Sequence, residues 1–140
     1  MSVQQSIAIE RSRLPGPSAI SSEAQSLGFN LVVEDCDLGT HTGYLPVRLN
    51  GDESGFEWFI SDASEYSDSP LPLDLEQRDI VIELSTGSDE KECQAAMICA
   101  AAIMKLCDGV YFDDYDNVDR SPDRLLAEVR EWMGSTGTSE

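Results

Sequence analysis

Ten consecutive apolar residues, Ala95 to Met104, lie inside a stretch that reads as one helix from about Glu90 to Leu106. No other segment restricts the fold as much. A membrane span needs about 20 such residues, so this is the interior helix of a soluble domain. Ala95, Ala96, Ala100, Ala101 and Ala102 are small, and Met97, Ile98, Ile103, Met104 and Leu106 are large, which leaves no polar face. A helix that is apolar all round is buried all round. It is expected between a sheet and the last helix of the same chain. Cover by a second chain, and hence a homodimer, is the alternative.

The flanks fit that placement. Ile80–Leu84 (IVIEL) reads as a strand, and Asp89 with Glu92 loosely fits a capping box at the helix start. Asp108-Gly109 stops the helix and Val110–Phe112 begins another strand. A connection of this length suits a split βαβ unit, two parallel strands that need not be adjacent. Upstream, residues 3–13 suggest a first strand or arm, Leu14 to Pro17 a break, and residues 18–28 a short helix stopped by Gly28. Phe29–Glu34, Tyr44–Leu49 and Phe56–Ile60 read as strands, the last two as a β-hairpin with a longer loop over Asn50–Gly55, which opens on an Asn-Gly turn pair. Pro46 lacks a ladder donor, which points to an edge or a bulge. Residues 61–78 form a polar connection long enough to hold a short helix or a function. Ser121 and Pro122 start a final helix running to about Met133.

The expected fold is therefore α+β: a mostly antiparallel sheet packed by the alanine-rich helix and a C-terminal helix. At 140 residues the chain makes one domain, residues 1–133, followed by a flexible tail over 134–140.

Charge narrows the function. Twenty-seven acids against nine bases leave −18 at pH 7. Nucleic acid and anionic lipid are recognised by basic surfaces, so neither is an expected partner. The first sixteen residues lack a secretory signal, and their longest apolar run is Ile7–Ile9. The expected compartment is the cytoplasm, with Cys36, Cys93, Cys99 and Cys107 as reduced thiols. On one helix Cys93 and Cys107 would lie about 21 Å apart, too far to share a zinc ion. They are read as core residues.

No catalytic signature stands out. GxGxxG, HExxH, GxSxG and the kinase set are missing from the sequence. Cys36 and His41 share a loop, but Asp35 and Asp37 flank the thiol, and negative charge disfavours a thiolate. His41 is read as a solvated loop residue. No enzyme activity, cofactor or metal is expected.

Two acidic concentrations remain. Asn50 to Glu90 holds twelve acids and one base, Arg78, a net −11. Within it, alternation puts Phe56, Trp58 and Ile60 on one strand face and Glu57 and Phe59 on the other. A carboxylate beside an aromatic suits a basic protein partner. The second concentration is Asp113-Asp114-Tyr115-Asp116-Asn117-Val118-Asp119. It fails the EF-hand pattern, because Val118 replaces a ligand and Asp119 the glycine. Tyr115 among acids suits an aromatic anchor. The expected contact residues are Asp52, Glu53, Glu57, Asp113, Asp114, Tyr115 and Asp116.

One resemblance sharpens this. The strand Ile80–Leu84, the alanine-rich helix ending Met104-Lys105-Leu106-Cys107, and Asp108-Gly109-Val110-Tyr111-Phe112-Asp113 resemble small bacterial α+β domains. Some of these serve as immunity proteins beside secreted toxins. The likeness spans residues 79–133 and rests on core and turn positions, so it carries over no functional residue. It implies an acidic cytoplasmic inhibitor that blocks a basic cognate toxin or effector. A structural homodimer, or a divalent-cation-dependent module built on Asp113–Asp119, are the alternatives.

Overall fold

A computed structural model describes residues 3–66, 78–113 and 117–137, with side chains through residue 133. In chain order the elements are β1 (Val3–Ile9), α1 (Pro17–Ser26), β2 (Leu31–Val33), β3 (Gly43–Leu49), β4 (Asp52–Asp62), β5 (Ile80–Thr86), α2 (Glu90–Cys107), β6 (Val110–Asp113), β7 (Val118–Asp119) and α3 (Asp123–Gly137). Short 3₁₀ turns lie at Arg11–Arg13 and Ala63–Tyr66.

Among the described residues, seven strands form one sheet in the order β2-β3-β4-β5-β1-β6-β7, every neighbouring pair antiparallel. The fold is α+β, as the sequence indicates. β5 and β6 both run antiparallel to β1, which lies between them, so they are parallel to each other. With α2 as their crossover they form the split βαβ unit.

α2 packs on the sheet and against both α1 and α3. Its residues from Gln94 to Met104 are buried except for Met97, which is half-buried against the same core. The apolar helix is thus covered within one chain, and a second copy is not needed to cover it. Asp89 caps it, its side chain accepting from Glu92 N at 3.0 Å; such a cap contributes about 1 kcal/mol. Asp108 closes the other end in the left-handed conformation.

Several boundaries differ from the sequence reading. The β3–β4 connection is not a longer loop. Asn50 (φ 55°) and Gly51 (φ 84°) make a two-residue turn, and pairing starts at once with Leu49 opposite Asp52. Two successive positive φ angles match a type I′ turn, whose twist suits a hairpin. Pro46 lies neither at the sheet edge nor in a bulge. Its strand is second from the edge, but β2 pairs only with Val47, Arg48 and Leu49. The Pro46 carbonyl accepts from Glu34 N just beyond that ladder. An extended residue turns its N–H and C=O the same way, so the missing donor falls where β2 pairing runs out. Pro17 is not part of the break but the first residue of α1. β7 has no counterpart in the sequence reading, and α3 continues past Met133 to Gly137.

The sheet has two unlike faces. One carries the helices and the main core, with Ile7, Ile9, Leu45, Val47, Phe56, Trp58, Ile82 and Leu84. On the other face Ala8, Val81, Val110 and Phe112 form a second cluster under Ala63 and Tyr66. The Tyr66 ring meets Phe112 edge-on at 5.1 Å, and its hydroxyl donates to Glu83. That cover lies over β5, β1 and β6, and the cluster includes no residue of β2, β3 or β4.

Candidate functional site

The open half of the outer sheet face, over β2–β4, is the candidate site. Alternation in β3 sends Leu45, Val47 and Leu49 into the core and turns Tyr44, Pro46 and Arg48 outward. In β4, Phe56 and Trp58 are buried, while Glu53, Glu57 and Phe59 are exposed. Cross-strand pairing sets Tyr44 opposite Glu57, Arg48 opposite Glu53, and Phe59 opposite Glu83.

Tyr44 (51% exposed), Val32 (43%) and Phe59 (38%) are the large apolar side chains left exposed among the described residues. Tyr44 separates two shallow clefts and lines both. One, of about 360 Å³, is bordered by Val32, Glu34, Pro46, Arg48 and Glu53. The other, of about 380 Å³, is bordered by Phe56, Glu57, Ser85, Thr86, Gly87 and Glu92. Burial raises the Tyr44 phenol above its ordinary value, and the carboxylates of Glu92, Glu53, Asp89 and Glu57 push it further. Burial likewise raises the Glu92 carboxyl, with Asp89 and Glu57 adding like charge.

The sequence-derived contact residues divide. Asp52, Glu53 and Glu57 all lie on β4. Glu53 and Glu57 face outward beside Tyr44. Asp52 is at the hairpin tip, paired with Lys91 Nζ at 2.6 Å. Asp113 is not with them. It ends β6, three strands away, and its side chain is 6% exposed. It accepts from Tyr111 Oη at 2.8 Å and from Asn117 Nδ2 at 3.0 Å, with Arg124 at 4.0 Å. Asp114, Tyr115 and Asp116 lie outside the described residues.

The same corner bears on the cation reading. Arg124 holds Asp119 at 2.6 Å as well as facing Asp113, so a guanidinium already sits between two of the loop's carboxylates. Among the described residues, no three His, Cys, Asp or Glu side chains are grouped to hold a metal ion.

The Cys36–His41 loop is held by its own contacts. Trp58 Nε1 donates to Leu38 O at 3.1 Å, and His41 N to Asp37 O at 2.9 Å. The His41 ring nitrogen Nε2 lies 2.9 Å from Tyr44 O, so the half-buried ring fastens the loop to β3 instead of standing free in solvent. The Cys36 thiol is pushed up by burial, then by Glu34, Asp35 and Asp37, which opposes a nucleophilic role. Cys99 and Cys107 are buried core residues.

Sequence reasoning missed Tyr44, Val32 and Glu92. The alternation of Tyr44–Leu49 already contained Tyr44. Glu92 needed the tertiary fold, because only the packing of α2 brings it to the end of β5. No protein-family model matches the chain, and no curated protein shows significant similarity to it. Among the described residues no helix is long and apolar enough to cross a membrane.

Proposed function

We propose that this chain is an acidic protein-binding inhibitor of the immunity type, acting in the cytoplasm by covering the basic site of a cognate toxin or effector. One observation carries the reading: the open half of the sheet exposes Tyr44 and Phe59 among Glu34, Glu53 and Glu57, with Arg48 beside Glu53. Exposed aromatics are the usual anchors of a protein interface. The surrounding carboxylates, on a chain of net charge −18, steer a basic partner onto them and raise the association rate. A toxin that acts on nucleic acid or anionic lipid has a basic cleft, which is the complement of this face.

A second copy of the chain suits the face less well, because the exposed carboxylates Glu34, Glu53 and Glu57 outnumber the base Arg48 beside them. The test is capture by the immobilised chain from a lysate of the cells that make it. Retention is compared at low salt and at about 0.5 M salt, where the Debye length is roughly 4–5 Å. The expected result is one stoichiometric basic protein, retained through the high-salt wash and lost with Tyr44→Ala. A mixture of basic proteins that all wash off, unaffected by Tyr44→Ala, would overturn the reading.

A further inference from the structure

We infer that the cleft between Tyr44, Glu57 and Glu92 is the seat of a single arginine side chain of the partner. The inference rests on the partner reading above and adds the chemistry of its central contact.

The cleft forms where β4 outruns β5. Glu57 is opposite Ser85 and Phe56 stands level with Thr86, after which β5 ends and the chain turns at Gly87 into α2. Its base is apolar, since Phe56 is buried there. Its lining brings together residues able to accept hydrogen bonds, Glu57, Glu92 and Ser85. Tyr44 lines the cleft beside them. Among the described residues no basic side chain lines the cleft, and the nearby Lys91 is engaged by Asp52.

Three features select the occupant. The volume, about 380 Å³, lies within the roughly 300–1,000 Å³ of ligand pockets and gives an arginine side chain ample room. The charge calls for a cation, because the cleft is bordered by the acids Glu57 and Glu92, and burial raises the Glu92 carboxyl, with Asp89 and Glu57 adding like charge that a positive group relieves. The shape favours a guanidinium over an ammonium. A planar guanidinium stacks on an aromatic face while its five donors reach acceptors in several directions, whereas a lysine head is a compact, strongly hydrated point charge. An apolar floor also suits the methylene stem of an arginine.

The experiment uses the full chain and three small probes: n-butylguanidinium, n-butylammonium and the neutral n-butylurea. Backbone amide NMR shifts are followed for each. The guanidinium is expected to saturate with a dissociation constant on the order of 10 mM, the range for so few heavy atoms. The shifts should centre on Tyr44, Ser85, Thr86, Gly87 and Glu92. Glu92→Gln and Glu57→Gln should each weaken it roughly fivefold. Tyr44→Leu keeps bulk over the neighbouring backbone and removes the π face, and should weaken it roughly threefold to fivefold. Non-saturating shifts spread over every acidic segment, equal saturation by n-butylammonium, or binding unchanged in Glu92→Gln would overturn the arginine seat.

The two failures are distinguishable. A basic protein retained equally by wild type and by Glu92→Gln removes the arginine seat and leaves the partner reading standing. Saturable guanidinium binding at the cleft, with no basic protein retained, leaves a guanidinium site but ends both the partner reading and the site's assignment to a partner's arginine.

Discussion

The ring of Tyr44 lies over the backbone of Gly55, so close that a β-carbon built there would come within 2.4 Å of both Cζ and Oη. The two residues are diagonal neighbours across the β3–β4 pair, since Tyr44 is opposite Glu57 and Gly55 opposite Pro46. Gly55 is therefore glycine for space, not for an unusual backbone angle. Gly55→Ala would also press within 2.7 Å of the Leu45 carbonyl, which cannot swing away. The expected loss is about 1–3 kcal/mol, read from urea unfolding. It should be accompanied by a changed near-ultraviolet dichroism as the Tyr44 ring is displaced.

Trp58 ties the sheet to the Cys36–His41 loop through its bond to the Leu38 carbonyl. Trp58→Phe leaves that carbonyl without its donor and opens a small void, for an expected loss of ~2–3 kcal/mol. Amide exchange at Gly39–His41 should quicken more than at β1. Equal protection in variant and wild type would show that the bond does not hold the loop.

The thiols predict an alkaline limit. Burial lifts Cys99 from near 9 to about 12, and Cys107 to about 11. Between pH 9 and 11 the unfolded chain releases these protons while the folded chain keeps them, so stability falls as pH rises. The slope contribution is up to ~1.4 kcal/mol per pH unit for each thiol. Tyr66 and Tyr111, whose phenols burial also raises, add to the fall at still higher pH. Urea unfolding across this window should show the decline, and Cys99→Ala should flatten it. At neutral pH a thiol reagent should reach the half-buried Cys36 and Cys93 in the folded protein, and Cys99 and Cys107 only in denaturant.

Two acids that look alike in the sequence should behave differently. Asp113→Ala strips the partners of Tyr111 and Asn117 and leaves Arg124 with less counter-charge. The expected cost is about 2–3 kcal/mol, as for losing hydrogen bonds to a charged group. Glu57→Gln, exposed on the open face, should change stability by less than about 0.5 kcal/mol. Matched denaturant curves test the contrast.

Local patterns carried most of the fold. The unbroken apolar run marked α2, and IVIEL and Val110–Phe112 marked strands that are in fact buried on both faces. The β3–β4 turn was legible in Asn50-Gly51, but the polar run Asp52-Glu53-Ser54-Gly55 suggested a loop. Pairing with β3 overrides that weak strand propensity. At the candidate site, alternation alone turned Glu57 and Phe59 outward. Asp113 was not legible in the same way, because its burial depends on Tyr111 beside it and on Arg124 from the last helix. The divided outer face was equally hidden, since nothing local says which half the Ala63–Tyr66 turn will cover.

The placement of β1 has a consequence for how the chain is made. Every ladder partner of this strand is 71 to 108 positions downstream, from Ile80 opposite Ile9 to Asp113 opposite Gln5. An interior strand of the sheet is thus synthesised before either neighbour. Closing loops of that length is slow, and until they close, Ile7, Ala8 and Ile9 belong to a strand with two open edges. Such a strand is a template for pairing with other chains. The density of negative charge that follows it, net −11 between Asn50 and Glu90, holds nascent copies apart by mutual repulsion during that interval. The acidity that suits a basic partner thus also opposes self-association of the unfinished chain.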